Sequence, residues 1–187
     1  MIIENQIIEL PEGYSDVKIQ IFEERDRKIL FDAYVEWRKL CTHLSSLKSR
    51  LVNLPEGISE SAFCLEMNAV RILENISNAN SSFDCYVFEQ KERIQVKACS
   101  IIPDLTSFGP KSVWDKLYFL DFYREGKWDG TFDIYLIDND DIYNHRVNAI
   151  QTFRDQQEQG RRPRFSIYKE IIEFKNLRPL KTGNLQT

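Results

Sequence analysis

The sequence predicts an α/β domain built on a mixed central β-sheet flanked by helices. Short apolar runs with the two-residue period of strands alternate with segments whose apolar residues recur every three or four positions. At 187 residues, 42% hydrophobic and 12% aromatic, the chain supplies one compact core and needs no second domain. It carries no Gly-rich phosphate loop, GxSxG elbow, internal repeat or low-complexity tract, which argues against kinase, nucleotide hydrolase and serine hydrolase chemistry.

Three parts are expected along the chain: a helical N-terminal part (1–53), a core (54–140) and a basic C-terminal part (141–187). Residues 17–52 read as one long helix or two packed ones, since Phe22, Ile29, Leu30, Tyr34, Trp37, Leu40, Leu44 and Leu47 recur at three-, four- and seven-residue spacings. Leu54–Ser59, with Pro55 and Gly57, breaks that pattern. Ser59 is then a suitable N-cap for a helix over 60–77 with Phe63, Val70, Leu73 and Ile76 among its apolar positions. The polar stretch Asn75–Ser82 suits a turn. Two short strands follow, Phe83–Phe88 and Ile94–Ala98, separated by the polar turn Glu89–Arg93. Pro103, Asp104 and Phe108-Gly109-Pro110 mark a loop, after which Ser112 would cap a helix containing Val113, Trp114, Leu117, Tyr118 and Phe122. These aromatics serve core packing or base stacking. Phe132–Ile137 reads as a strand ended by the acidic turn Asp138-Asn139-Asp140-Asp141, which lacks the spaced ligands and central Gly of an EF-hand. A helix over 145–159 and a basic loop, Arg161-Arg162-Pro163-Arg164-Phe165, complete the chain.

Chemistry concentrates in the hairpin. In Ile94-Gln95-Val96-Lys97-Ala98 the alternation sends Ile94, Val96 and Ala98 to one face and Gln95 and Lys97 to the other, roughly 7 Å apart along the strand. The turn brings Asp84 beside them, so a carboxylate, an amide and an amine converge. Glu60, in the first turn of the helix ahead of the Asp84 strand, is a further carboxylate, with Glu66 and Glu74 as rivals. A solvated hairpin, and a helix-dipole role for Glu60, account for the same residues without catalysis.

Asp84 followed by Gln95-Val96-Lys97 resembles the motif of the PD-(D/E)XK nuclease superfamily, with Phe83 in place of the family's Pro and Gln95 in place of the usual acid. The runs IQVKACSIIPDLTSFGPKSVWDKLYFLDF and RRPRFSI are similar to those of the small type II restriction endonucleases that recognise GCNGC, the Bsp-type family, from about Glu60 onward. This resemblance implies a Mg²⁺-dependent endodeoxyribonuclease that cuts double-stranded DNA to leave 5′-phosphates. Asp84, Glu60 and the Val96 carbonyl would hold the metal, Gln95 would orient water, and Lys97 would activate that water and stabilise charge on the phosphate. It also implies a homodimer and a cognate DNA methyltransferase in the same system. A repair or junction-cleaving nuclease of the same superfamily, or a non-catalytic DNA-binding protein with a decayed site, remains open.

The net charge of −4 conceals an asymmetry: residues 161–187 carry +5 and residues 1–160 carry −9. A basic end on an acidic body steers DNA through local potential, or is simply a solvated terminal segment. Arg161, Arg162 and Arg164 are the candidate base contacts, because Arg reads guanine O6 and N7 bidentately, and each is nearly as well suited to phosphate. Cys41, Cys64, Cys85 and Cys99 form no CxxC and have no clustered histidines, so they read as buried thiols. With no apolar run of membrane-spanning length and no leader, a cytoplasmic location is expected.

Overall fold

The computed structural model describes residues 1–74 and 83–186. The chain opens with a β-hairpin, β1 (Ile2–Leu10) and β2 (Gly13–Ile21), where a helical part was expected. Val17 and Ile19 are buried while Asp16 and Lys18 are exposed, so the two-residue period overrides the helical spacing at the start of that segment. The helical reading of 17–52 holds for α1 (Arg27–Ser46), whose buried Leu30, Tyr34, Trp37 and Cys41 recur at four, three and four residues.

The second helix, α2 (Glu56–Met67), starts one turn earlier and ends sooner than the sequence suggests. Pro55 is its N-cap, Ser59 lies inside it, and Asn68 ends it in the left-handed conformation at φ 53°. Asn tolerates that geometry because its short side chain costs little there. Val70, read as helical, belongs to β3 (Val70–Ile72). The expected turn at Asn75–Ser82 lies outside the described residues. The predicted hairpin is present as β4 (Cys85–Val87) and β5 (Glu92–Cys99), with Cys85 opposite Ile94.

After β6 (Thr106–Ser107), the helix expected beyond Ser112 is replaced by a strand, β7 (Lys116–Asp121). Leu117 and Phe119 face one core cluster, Tyr118 and Leu120 the other, so the run is apolar because both faces are covered. The predicted strand is present as β8 (Thr131–Ile137). Asp138 is more than a turn residue: its carboxylate caps α3 (Asn139–Tyr143) by accepting from the Asp140 N–H at 2.9 Å. Of the helix expected over 145–159 only α4 (Phe153–Glu158) forms, behind a Thr152–Asp155 capping box. The basic end is no loose tail. It contributes β9 (Arg164–Phe165), a π-helical turn over Tyr168–Glu173 and β10 (Lys181–Asn184).

The main sheet runs in the order β1-β2-β3-β4-β5-β7-β8-β10; β5 and β7 are parallel and the other pairs antiparallel. Helices α1 and α2 cover one face through Tyr34, Phe63, Ile94 and Leu120, while Phe108, Trp114, Phe153 and Ile167 fill the other. All four cysteines are buried free thiols, as their spacing suggested. Among the described residues no helix is long and apolar enough to cross a membrane.

Asp104 ties the C-terminal segment to the core. Its carboxylate accepts from the Thr106 hydroxyl at 2.8 Å, the Ile167 N–H at 3.1 Å, the Tyr168 N–H at 3.3 Å and the Ser166 hydroxyl. Asp104→Ala leaves these buried donors unpaired, and urea denaturation should show a loss of roughly 3 kcal/mol. An unchanged midpoint would mean that water replaces the carboxylate.

Candidate active site

The strand register sets the site. Asp84 stands at the entrance to β4 with its backbone held on both sides: its N–H donates to the Ile94 carbonyl at 2.9 Å and its carbonyl accepts from the Ile72 N–H at 3.0 Å. The side chain then turns toward β5, where Oδ2 accepts from the Val96 N–H at 2.8 Å and from the Gln95 amide. Val96 directs its carbonyl to the same side of the strand as its N–H, toward Asp84 and past the end of β4. Gln95 and Lys97 share the opposite face from Ile94 and Val96, as the alternation requires. Lys97 is half-buried, its ammonium 5.4 Å from the centre of the Phe108 ring.

Helix α2 supplies the second carboxylate. Glu60 is 8% exposed, and its Oε2 lies 2.5 Å from Arg71 Nε on β3. Burial, with the charge of Asp84 added, pushes Glu60 up to about 7 against the pull of Arg71. Asp84 is also driven above the ordinary carboxylate range, chiefly by burial, against the opposing pull of Lys97 and the Val96 N–H. Two buried acids, Glu60 raised in part by the charge of Asp84 and both raised in part by that of Glu56, mark a place where negative charge is concentrated and a cation is favoured.

Of the predicted residues, Glu60, Asp84, Gln95, Val96 and Lys97 are brought together. The rival acids are placed elsewhere. Glu66 is held between Arg27 and Lys181, each 2.7 Å from its carboxylate. Burial pushes Glu66 up, but these two partners outweigh it and hold the carboxyl below its usual range. Glu74 lies beyond β3, outside the helix, accepting from the Lys18 N–H at 2.8 Å. Glu56 and Arg71 were missed. Glu56 opens α2 one turn before Glu60 and adds negative charge at both Glu60 and Asp84. Its signal was the i, i+4 spacing to Glu60; that of Arg71 was a charge flanked by Val70 and Ile72 in an apolar strand.

Among the described residues no three Asp, Glu, His or Cys side chains converge to hold a metal ion. The oxygen donors on offer are the carboxylates of Glu60 and Asp84, the Gln95 amide oxygen and the Val96 carbonyl. This is a hard donor set, short of a full cage and suited to a small divalent cation that keeps some of its water.

Arg161, Arg162 and Arg164 are exposed and follow Lys97 by more than 60 residues of sequence. They are nonetheless joined to the Lys97 side of the site. Arg164 pairs with Ser107 between β9 and β6, and the Phe108 N–H donates to the Pro163 carbonyl at 3.2 Å. Two other cations of the basic end are committed to the fold, Lys175 to Asp141 and Lys181 to Glu66.

Comparison with known proteins converges on one group. The family model described as Bsp6I restriction endonuclease matches residues 22–174. The type II restriction enzyme Bsp6I of Bacillus sp. (strain RFL6) is 37% identical over 158 residues, covering 83% of this chain and 86% of that enzyme. No solved structure matches the chain. A family match over most of the length, joined to a relative of that identity and coverage, places the chain in the Bsp6I restriction endonuclease family.

Proposed function

We propose that the chain is a Mg²⁺-dependent type II restriction endonuclease of the PD-(D/E)XK kind. It would hydrolyse both strands of double-stranded DNA at a short GC-rich palindrome, GCNGC, and leave 5′-phosphates. The observation that carries this reading is the convergence of Asp84, Glu60, Gln95 and Lys97 at one end of the β4–β5 hairpin in a chain of this family.

Asp84 and Glu60 would hold the ion, helped by the Val96 carbonyl and the Gln95 amide oxygen. When bound, Mg²⁺ neutralises charge on the phosphate and lowers the pKa of water. Gln95, already oriented by its contact with Asp84, would position the attacking water opposite the leaving 3′ oxygen. Lys97 would hold that water and offset the charge that builds on the phosphate, at the place where the Asp84 carboxylate and the Phe108 ring keep its ammonium. A palindromic site calls for a two-fold homodimer with one such centre per strand. A cytoplasmic enzyme of this kind requires a cognate methyltransferase to protect the host's own sites.

Plasmid DNA containing GCNGC should be cut at those sites with Mg²⁺ and left intact with EDTA. Sequence-independent cutting would favour a repair nuclease, and specific binding without cutting a decayed site. Recognition is assigned to the segment 161–164, because it is exposed and tied through Phe108 to the Lys97 side of the site. At least one of Arg161→Ala, Arg162→Ala and Arg164→Ala should cost about 1–3 kcal/mol in binding and relax preference at one symmetric base position. A phosphate contact would instead weaken all duplexes alike and lower the salt slope by about one. The measurement is a salt series on GCNGC duplexes and single-base variants, with Ca²⁺ replacing Mg²⁺ to block cutting. Wild-type affinity and discrimination in all three variants would move recognition away from this segment.

A further inference from the structure

Arg71 has no place in the chemistry above, yet it occupies the centre of the site's electrostatics. It sits in the middle of β3, opposite Cys85, the residue after Asp84, and opposite Gln20 on the other side. Its side chain is 25% exposed and reaches across to α2, with Nε 2.5 Å from Glu60 Oε2. Nη2 extends over the first helical turn, 4.0 Å from where a Cβ on Gly57 would stand. The paired acids Glu60 and Asp84 thus feel the negative charge of Glu56 from the start of α2 and the positive charge of Arg71, and Arg71 and Lys97 both pull on Asp84.

A divalent ion taken up by Glu60 and Asp84 would bring two positive charges next to a guanidinium already paired with Glu60. Like charges at that range repel, and one carboxylate oxygen cannot serve both partners at full strength. We propose that Arg71 is a positioning residue that stands in for the metal: its guanidinium holds Glu60 in the metal-free enzyme and is released from Glu60 when a divalent cation binds. Arg71 then sets the metal concentration at which the site loads. A surface ion pair would have no such effect, since Glu60 is buried and its charge must be met by one cation or the other.

This inference rests on the metal site proposed above, and the test separates the two. Calcium, which fills oxygen sites without supporting cleavage in the assay above, is titrated calorimetrically into the full chain at pH 8.5. Glu60→Gln and Asp84→Asn should each weaken its binding at least tenfold. If neither does, the metal site is misassigned and the Arg71 proposal falls with it. Arg71→Met keeps the aliphatic stem and removes the charge. It should bind Ca²⁺ roughly fivefold to tenfold more tightly than wild type, the screened effect of removing one like charge a few ångströms from a divalent ion. Equal or weaker binding by a folded Arg71→Met, with the two acid variants behaving as stated, would overturn the role of Arg71 alone. Wild-type protein labelled with ¹⁵N-arginine gives a second readout. The Arg71 Nε–Hε resonance, identified by its loss in Arg71→Lys or Arg71→Met, should shift and lose its exchange protection on Ca²⁺ addition. A signal that stays protected in the Ca²⁺-saturated protein would show the ion pair intact and the proposal wrong.

Discussion

Replacing Asp84 or Lys97 should lower DNA cleavage by roughly two orders of magnitude or more while specific binding in Ca²⁺ survives. Asp84 joins β4 to β5 through the Val96 N–H and the Gln95 amide, so Asp84→Ala would leave two buried donors unpaired. Asp84→Asn keeps an acceptor at nearly the same position and removes only the charge. Because burial drives the Asp84 carboxyl toward its neutral form, that variant should melt at or above the wild-type temperature. Lys97 is half-buried against Phe108, and Lys97→Met keeps the aliphatic contact while removing the ammonium. Single-turnover cutting of a GCNGC plasmid, with melting curves and duplex binding on the same samples, checks all three. Normal cutting by either Asp84→Asn or Lys97→Met would place the chemistry elsewhere.

The hairpin that carries these residues was legible because it depends on local order. Ile94, Val96 and Ala98 alternate with Gln95 and Lys97, and the polar Glu89–Arg93 turn fixes which strand meets which. Strand β7 was not legible in the same way. Leu117-Tyr118-Phe119-Leu120 is apolar throughout, and a strand covered on both faces has no alternation to tell it from a buried helix. The start of the chain failed for a related reason. Val17-Lys18-Ile19-Gln20 alternates plainly, but Phe22 and the periodic residues of α1 follow so closely that the helical period was carried too far back.

Contacts between distant segments were hidden altogether. The pairing of Arg71 with Glu60 depends on β3 lying beside the first turns of α2, and nothing in Val70-Arg71-Ile72 names its partner. The tie between Asp104 and Ser166–Tyr168 spans more than 60 residues and turns the basic end into part of the second core. Glu60 was chosen over Glu66 and Glu74 from its place ahead of the Asp84 strand. The helix begins at Glu56 and not at Glu60, yet Glu60 still lies close enough to Asp84 to feel its charge, whereas Glu66 is held by Arg27 and Lys181.

Glu60→Gln should raise the Mg²⁺ concentration for half-maximal cutting by roughly tenfold or more, since a carboxylate on the ion is exchanged for a neutral amide of the same shape. Glu66→Gln should leave the Mg²⁺ requirement alone and lower stability by about 3 kcal/mol, because Arg27 and Lys181 lose their shared buried partner. Glu74→Gln should do neither. The pH dependence separates Glu60 further. With its carboxyl pushed up to about 7, Glu60 is ionised above that pH and takes a proton below it. Cutting at subsaturating Mg²⁺ should therefore rise as pH increases through 7, and Glu60→Gln should flatten that step. Stability without metal runs the other way. An acid whose folded pKa exceeds its unfolded value of about 4.5 binds its proton more tightly when folded, so the metal-free protein loses stability as pH climbs from 4.5 to 7. The loss is at most about 3–4 kcal/mol at 1.36 kcal/mol per unit, and it should disappear from the difference between wild type and Glu60→Gln once Mg²⁺ saturates the site. Melting curves of both proteins between pH 5 and 8, with EDTA and with Mg²⁺, measure it. A wild-type curve that tracks Glu60→Gln at every pH without metal would show that Glu60 does not titrate in this window, and an unchanged Mg²⁺ requirement in Glu60→Gln would show that the ion is held by other groups.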